Sequence, residues 1–357
     1  MIRLGDHTSG RANNTQLLRL LAASAVMFFH SYAFTGRTND EPLYQLTLHT
    51  HFGSLGVKCF FVLSGFLVTQ SWLRRSHLPT FAAARALRIY PALFAAVALS
   101  ILLGSMATIV PWREYMSSPM TISYAWHNAL GWHVEYLLPG AFASNPFPNG
   151  VNGSLWTLAI ELRLYVAVAV FGAIGLLARK RYWAAAFCAL LALFSMRPEW
   201  LLVKPNELVA HELVLLFALG SLAYAWRDSI PLSIVATLAG VALYAWNPAG
   251  SMRGFAFNVL VTYTVLVLAY HPRLQWPPAN RLGDYSYGMY VYAFPIQQTI
   301  VYRFPGVTVT ELFFAGFMVT LATAAASWHF LEKPFLRLKL RFQTQPAQTD
   351  ERAQNPA

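Results

Sequence analysis

The chain has 357 residues, of which 56% are hydrophobic and only 11% are charged, and its net charge is +11. Soluble domains carry about 25% charged residues, and so few charges could not cover a soluble protein of this size. The apolar runs are continuous rather than alternating, which excludes a barrel of the outer-membrane type. The composition therefore predicts an all-α, polytopic membrane protein.

Ten apolar segments are long enough, or nearly so, to cross a hydrocarbon core of about 30 Å. They lie at about 15–36, 54–73, 89–110, 153–178, 182–197, 206–226, 229–247, 255–271, 284–303 and 309–331. We expect a single integral-membrane domain over residues 1–342 and a disordered polar tail over 343–357. The first segment is too long for a cleavable signal and contains a charge.

The positive charge is concentrated on one side of these segments. Of the 26 Lys and Arg residues, 17 lie on the side of the N-terminus, 6 on the other side and 3 within segments. The positive-inside rule then places both termini in the cytoplasm, and the charge marks topology rather than nucleic-acid binding. Cys59 and Cys188 both fall in apolar segments, so we expect neither a disulfide framework nor a zinc site.

The first segment carries two ionisable residues, Arg19 and His30. They are 11 residues apart, which is about 20° past three full turns, so they share one helix face about 16 Å apart along the axis. A charge inside the membrane is costly unless it faces protein or water. The pair predicts a polar cavity along this helix, with His30 available as a general base near neutral pH.

The fourth segment adds Glu161 and Arg163 within the membrane. Counted from the outer ends of their helices, Glu161 lies about 12 Å deep and His30 about 9 Å deep. Similar depth predicts a pair in which the carboxylate orients the imidazole. The alternative is that Glu161 only neutralises Arg163 or Lys58.

Two connections could bind substrates. The cytoplasmic connection after the second segment carries Arg74, Arg75, Arg85 and Arg88, which either mark topology alone or hold the phosphates of an anionic ligand. The long outer connection at 111–152 is rich in Trp, Tyr and Asn. It fits a sugar-binding surface and an interfacial aromatic belt equally well.

Further segments follow one another in a distinctive order. They are FFVLSGFLV at 60–68, the basic run ending in RIYP at 88–91, SLWTLAIE at 154–161, LGDYSYGMYVYAFPIQ at 282–297 and LEKP at 331–334. Together with the spacing from Arg19 to His30, they resemble the membrane-bound acyltransferase-3 family over the whole chain. The resemblance implies about ten membrane helices in a bacterial-type inner membrane. It also implies transfer of an acyl group, often acetyl, from cytoplasmic acyl-CoA to a hydroxyl of a cell-surface carbohydrate or glycolipid.

Carried onto this chain, the resemblance implies that Arg19 and His30 form the family's Arg and His motif and that Glu161 is its mid-chain acid. The arginines at 74, 75, 85 and 88 would meet the CoA phosphates, and acyl-CoA would be a co-substrate, with no bound cofactor. Our hypothesis is that His30, oriented by Glu161, deprotonates the acceptor hydroxyl. Ser64, Ser154 and Tyr287 are the candidates for oxyanion or acceptor contacts.

The chain departs from the family at three points. Ala293 stands where many members have a histidine, so Tyr290 or Tyr292 would have to fill any role of that imidazole. Lys58 precedes the FFVLSGF run, where an acidic or small residue is usual. We also expect no extracytoplasmic domain after the last helix, unlike some relatives.

The main alternative is a transporter or flippase for a glycolipid or polysaccharide precursor, which would also explain buried charge and an aromatic outer loop. The absence of an internal repeat weakens it. A second alternative is a non-catalytic partner of a polysaccharide synthase. The sequence leaves the acceptor, the acyl length and the oligomeric state open.

Overall fold

The protein is helical throughout the part of the chain that the structure describes. The structure is a computed structural model, and it describes residues 2–8, 13–180, 182, 183, 185, 208–246, 253–276, 278 and 283–338. Within these ranges there is no strand, only one isolated antiparallel bridge between Arg3 and Pro231. The all-α prediction is confirmed.

Thirteen α-helices lie in these ranges. They are α1 (Thr15–Phe34), α2 (Pro42–Thr47), α3 (Phe52–Arg74), α4 (Leu78–Ser105), α5 (Trp112–Ser117), α6 (Pro119–Leu130), α7 (Leu155–Ala173), α8 (Leu208–Ala225), α9 (Ile234–Trp246), α10 (Arg253–Tyr270), α11 (Ser286–Arg303), α12 (Val309–Ser327) and α13 (Lys333–Arg337). A π-helical turn, Trp328–Glu332, joins α12 to α13 without a break.

Six of the described helical segments are long and apolar enough to cross a membrane: α1, α3, α4, α7, α10 and the continuous run Val309–Arg337. The predicted segments at 206–226 and 229–247 are shorter apolar helices, α8 and α9. The predicted segment at 284–303 forms α11, which contains more polar residues. The segment at 182–197 and the tail at 343–357 lie mostly or wholly outside the described residues. The chain is an integral membrane protein.

Helix α3 lies at the centre of the bundle and packs against α1, α7, α8 and α10. Its closest neighbour is α8, because a glycine on each helix faces the backbone of the other. A Cβ at Gly65 would overlap the carbonyl of Phe217, and one at Gly220 would overlap the carbonyl of Val62. Small residues at such a contact let membrane helices approach closely, where dispersion forces and interhelical hydrogen bonds hold them.

One carboxylate fixes the start of α3. Glu41 is fully buried and accepts hydrogen bonds from the backbone N–H groups of Tyr44, in α2, and Phe52, in α3. His51, the N-cap residue of α3, accepts a third N–H, that of Ser54, through Nδ1. These bonds satisfy donors that every helix N-terminus leaves unpaired and therefore set the register of α3.

Candidate active site

Three cavities follow one another along α3. The arginine cavity is lined at the C-terminal end of α3 by Gln70, Arg74 and Arg75. The central cavity is lined by Arg19, Ser64, Arg85, Arg88, Glu161 and Tyr287 among others. The histidine cavity lies at the N-terminal end of α3 and is lined by His30, His51, Lys58, Ser154 and Glu212 among others.

Neighbouring cavities share walls. Leu67 lines both the arginine and the central cavity, and Val57 and Tyr290 line both the central and the histidine cavity. The row extends over residues 54–75 of the chain, which at 1.5 Å per residue is about 30 Å. That length matches the hydrocarbon thickness of a bilayer. Polar side chains are therefore placed at successive depths across the whole membrane.

Asp284 joins two arginines that line the central cavity, Arg19 and Arg88. Its Oδ2 atom accepts hydrogen bonds from Arg19 Nη1 at 3.0 Å and from Arg88 Nη2 at 2.7 Å, and its Oδ1 accepts the Ser286 hydroxyl at 2.7 Å. Burial alone would raise the pKa of the Asp284 carboxyl, but Arg19 and Arg88 outweigh this effect and hold it at about 2. Asp284 is therefore ionised at any physiological pH.

Arg88 has a second carboxylate partner, Glu332. Arg88 Nη1 lies 3.0 Å from Glu332 Oε2, and the Glu332 side chain is fully buried. Glu332 ends the π-helical turn, a feature that is frequent at functional sites. Sequence reasoning missed both acids, although buried arginines in a membrane require counter-charges and few acids are available at this end of the chain.

Glu161 lies in the central cavity, away from His30. Its Oε1 atom accepts the hydroxyls of Ser64 and Tyr165, each at 2.5 Å. The expected contact in which Glu161 orients His30 is therefore not formed. The reason is the depth at which α7 begins: Ser154, directly before the helix, already lines the histidine cavity, and Glu161 lies seven residues, or about 10 Å, further along.

His30 is held by aromatic rings rather than by hydrogen bonds. Its ring stacks on Phe34 with the centroids 5.2 Å apart and meets the edge of Phe294 at 5.1 Å. The Nδ1 atom is buried and has no hydrogen-bond partner within the described ranges. Packing thus fixes the plane of the ring, and no side chain of the described residues fixes its tautomer through Nδ1.

A second histidine, which sequence reasoning also missed, lines the same cavity. His51 stacks on Phe29 with the ring centroids 3.7 Å apart. Its Nδ1 accepts the Ser54 N–H, so in the neutral ring the proton lies on Nε2. Burial lowers the pKa of His51, against an opposing effect of Glu41 and with a smaller contribution from Lys58 in the same direction as burial.

The remaining basic residues differ in whether their hydrogen-bond donors already have partners within the protein. Arg74 and Arg75 are exposed where they line the arginine cavity, although Arg74 donates one hydrogen bond to the carbonyl of Thr8. Arg85 lies over the rings of Phe81 and Tyr165 at 5.9 and 5.8 Å, and its Nε is buried without a partner in the described structure. Arg74, Arg75 and Arg85 therefore keep donors for an anion, whereas Arg88 has its two carboxylates.

The three candidates for oxyanion or acceptor contacts are in different situations. The Ser64 hydroxyl donates a hydrogen bond to Glu161 Oε1, and the Tyr287 hydroxyl donates to the carbonyl of Ile89 at 3.0 Å. Ser154 Oγ is buried without a partner among the described residues and lines the histidine cavity. Ser154 is the candidate that remains available beside His30.

The structure also separates the two tyrosines considered as substitutes for a histidine at position 293. Tyr290 donates to or accepts from the Thr157 hydroxyl at 2.6 Å and lies in the wall between the central and histidine cavities. Tyr292 instead bonds the Ser327 hydroxyl at 2.9 Å within the helix packing. Ala293 packs in a buried apolar cluster with Met27, away from the cavities.

Comparison with known proteins decides the family. The sequence model described as an acyltransferase domain matches residues 14–328. The chain belongs to the acyltransferase-3 family. Nodulation protein 10 of Rhizobium leguminosarum bv. viciae is 28% identical, over 94% of this chain and 96% of that protein. The O-acetyl transferase of Shigella phage Sf6 is also 28% identical, over 91% of this chain and 96% of its own length.

No solved structure matches the chain. Membership of the acyltransferase-3 family makes the protein an acyltransferase, and its apolar helices place it in a membrane.

Proposed function

We propose that the chain transfers an acetyl group from acyl-CoA to a hydroxyl of a cell-surface carbohydrate or glycolipid, with His30 as the general base. The observation that carries this proposal is the row of cavities along α3, with guanidinium groups at one end and an imidazole at the other. Acyl transfer, which membership of the acyltransferase-3 family supports, needs both an anion site for the donor and a base for the acceptor.

The donor enters at the arginine cavity, on the cytoplasmic side by the positive-inside rule. Arg74 and Arg75 bind the CoA phosphates through charge-assisted hydrogen bonds, and Arg85 adds a donor deeper in the row. The pantetheine arm extends past Arg19 toward His30, about 16 Å further along α1. Arg19 and Arg88 line this passage with their charge already balanced by buried carboxylates.

The chemistry takes place in the histidine cavity. His30 accepts the proton of the acceptor hydroxyl, the alkoxide oxygen attacks the thioester carbonyl, and the CoA thiolate leaves. Ser154 Oγ, which has no described partner, donates to the oxyanion. Glu161 acts at a distance in this scheme, since it holds Ser64 and Tyr165 in the central cavity.

Replacing His30 by Ala tests the base. In membrane vesicles supplied with labelled acetyl-CoA and envelope glycan, we expect loss of label transfer, with the protein inserted at the wild-type level. His133→Ala is the matched control, because His133 is exposed and outside the cavities. Near-normal transfer by His30→Ala would remove His30 from this role, and movement of glycan without consumption of acetyl-CoA would favour a transporter.

The donor site is tested by replacing Arg74 and Arg75 together with Gln. The KM for acetyl-CoA should rise about tenfold or more with little change in kcat, since charge-assisted hydrogen bonds contribute about 1.5–3 kcal/mol each. Arg113→Gln, at an exposed position in the long outer connection, is the control. An unchanged KM would show that the phosphates bind elsewhere.

A further inference from the structure

An ion pair lies in the wall of the histidine cavity. Lys58 Nζ pairs with Glu212 Oε1, lies 3.5 Å from Asn258 Oδ1 and sits 5.4 Å from the ring centroid of Phe257. Lys58 extends from α3 and Glu212 from α8, and both line the cavity that contains His30. Nothing in the acyl-transfer scheme above uses this pair.

The pair is asymmetric. The Lys58 side chain is 4% exposed, whereas that of Glu212 is 27% exposed. Among the described residues, the partner recorded for the Glu212 carboxylate is Lys58, which contacts its Oε1 atom. The charged group that faces the cavity is therefore the Glu212 carboxylate, whereas the Lys58 ammonium group is buried.

Helix packing alone does not account for the pair. Taking two charges out of water costs several kcal/mol each, and well-packed apolar residues of similar volume often stabilise a protein as well or better. Glycines already bring α3 and α8 into close contact at Gly65 and Gly220. A partly exposed carboxylate beside the site of reaction is instead what a ligand with hydroxyl donors requires.

Aromatic rings complete the same cavity. Tyr136 and Phe147 are 43% and 41% exposed, and Trp156 lies near them at the start of α7. Their negatively charged faces attract ring C–H groups, while a carboxylate accepts from hydroxyls. Flat apolar surfaces next to one acidic acceptor fit a sugar ring, whose faces are apolar and whose edge is polar.

We propose that Glu212 selects the acceptor: it accepts a hydrogen bond from a free hydroxyl next to the one that is acylated, on a sugar that carries no acidic group. This assignment rests on the proposed function. Lys58 holds the carboxylate in place through the ion pair. An acidic sugar is rejected, because its own carboxylate or phosphate would face that of Glu212 in a partly desolvated site.

The test uses cells whose own copy of the gene is deleted and which carry the full chain or its variants. Base-labile acetate on the purified envelope glycan measures transfer. Stabilisation of the purified protein by acetyl-CoA, followed as thermal unfolding in detergent, measures the donor site separately. The variants are Glu212→Gln and the double variant Lys58→Met with Glu212→Gln, which removes both charges at nearly constant volume.

We expect both variants to lower acetate about tenfold or more, as loss of a hydrogen bond to a charged group predicts, and to keep the wild-type stabilisation by acetyl-CoA. We also expect that the acetate added by the wild-type protein is found on a neutral sugar of the envelope glycan. Recovery of acetate in the double variant, or loss of stabilisation by acetyl-CoA, would assign the pair to helix packing and overturn the proposal.

Two further outcomes separate this proposal from the function on which it rests. Normal acetate with Glu212→Gln, or acetate found on an acidic sugar, would overturn the role of Glu212 and leave acyl transfer intact. Absence of acetate with the wild-type chain would refute acyl transfer to the envelope glycan, and the role of Glu212 with it.

Discussion

Asp284→Asn is the most informative test of the charge network in the central cavity. The substitution keeps the shape of the side chain but removes its negative charge. In the wild type, Asp284 Oδ2 accepts hydrogen bonds from both Arg19 and Arg88. Breaking a buried ion pair by removing one partner costs about 3–5 kcal/mol, because the other charge stays buried and uncompensated. Arg88 keeps Glu332 at 3.0 Å, so we expect the lower end, about 3 kcal/mol.

The pKa of Asp284 predicts how this loss depends on pH. Arg19 and Arg88 hold the pKa of the carboxyl below its ordinary value of 3.8, at about 2, so they stabilise its ionised form. Since the pKa in the folded protein lies below the ordinary value, this stabilisation is fully present above about pH 4 and is lost as the pH falls toward about 2. The wild type and Asp284→Asn should therefore differ by a constant amount at neutral pH and converge only in acid.

The assay is thermal unfolding of the detergent-purified full chain, where a loss of about 3 kcal/mol lowers the Tm by about 5 °C. Asp40→Asn is the matched control, because Asp40 and Arg37 form an exposed pair, 49% and 60% accessible, of the kind that contributes at most about 1 kcal/mol. Equal Tm shifts for the two variants, or a difference between wild type and Asp284→Asn that already disappears between pH 7 and pH 5, would refute the reasoning.

Two other predictions concern the separation of the cavities and the contact of α3 with α8. Glu161→Gln should leave the acidic limb of the pH profile of kcat unchanged, because Glu161 contacts Ser64 and Tyr165 rather than His30. A shift of that limb in a pH-rate measurement would show that Glu161 interacts directly with His30. Gly65→Ala should sharply reduce the folded fraction in size-exclusion chromatography, since its Cβ would overlap the Phe217 carbonyl. Gly254→Ala, with open space around its Cβ, should behave as wild type, and equal behaviour of the two alanine variants would contradict the close approach of α3 and α8.

Features that depend on one helix at a time can be predicted from the amino-acid sequence. Continuous apolar runs predict membrane helices, and the structure has helices at nine of the ten predicted segments, with the tenth largely outside the described residues. The 3.6-residue period puts Arg19 and His30 on one face of α1, and both line the row of cavities. Such predictions hold because helix geometry is local and does not depend on neighbouring helices.

Contacts between side chains of different helices could not be predicted in this way, because they depend on how the helices pack. The relative depth of two helices depends on where each one begins within the bundle. Because α7 begins at the histidine cavity, Glu161 lies deeper than His30 and contacts Ser64. Charges far apart in the sequence, such as Arg19 and Asp284, pair because a buried charge takes whatever counter-charge the packing brings near. A period in the sequence carries no information about that offset between helices.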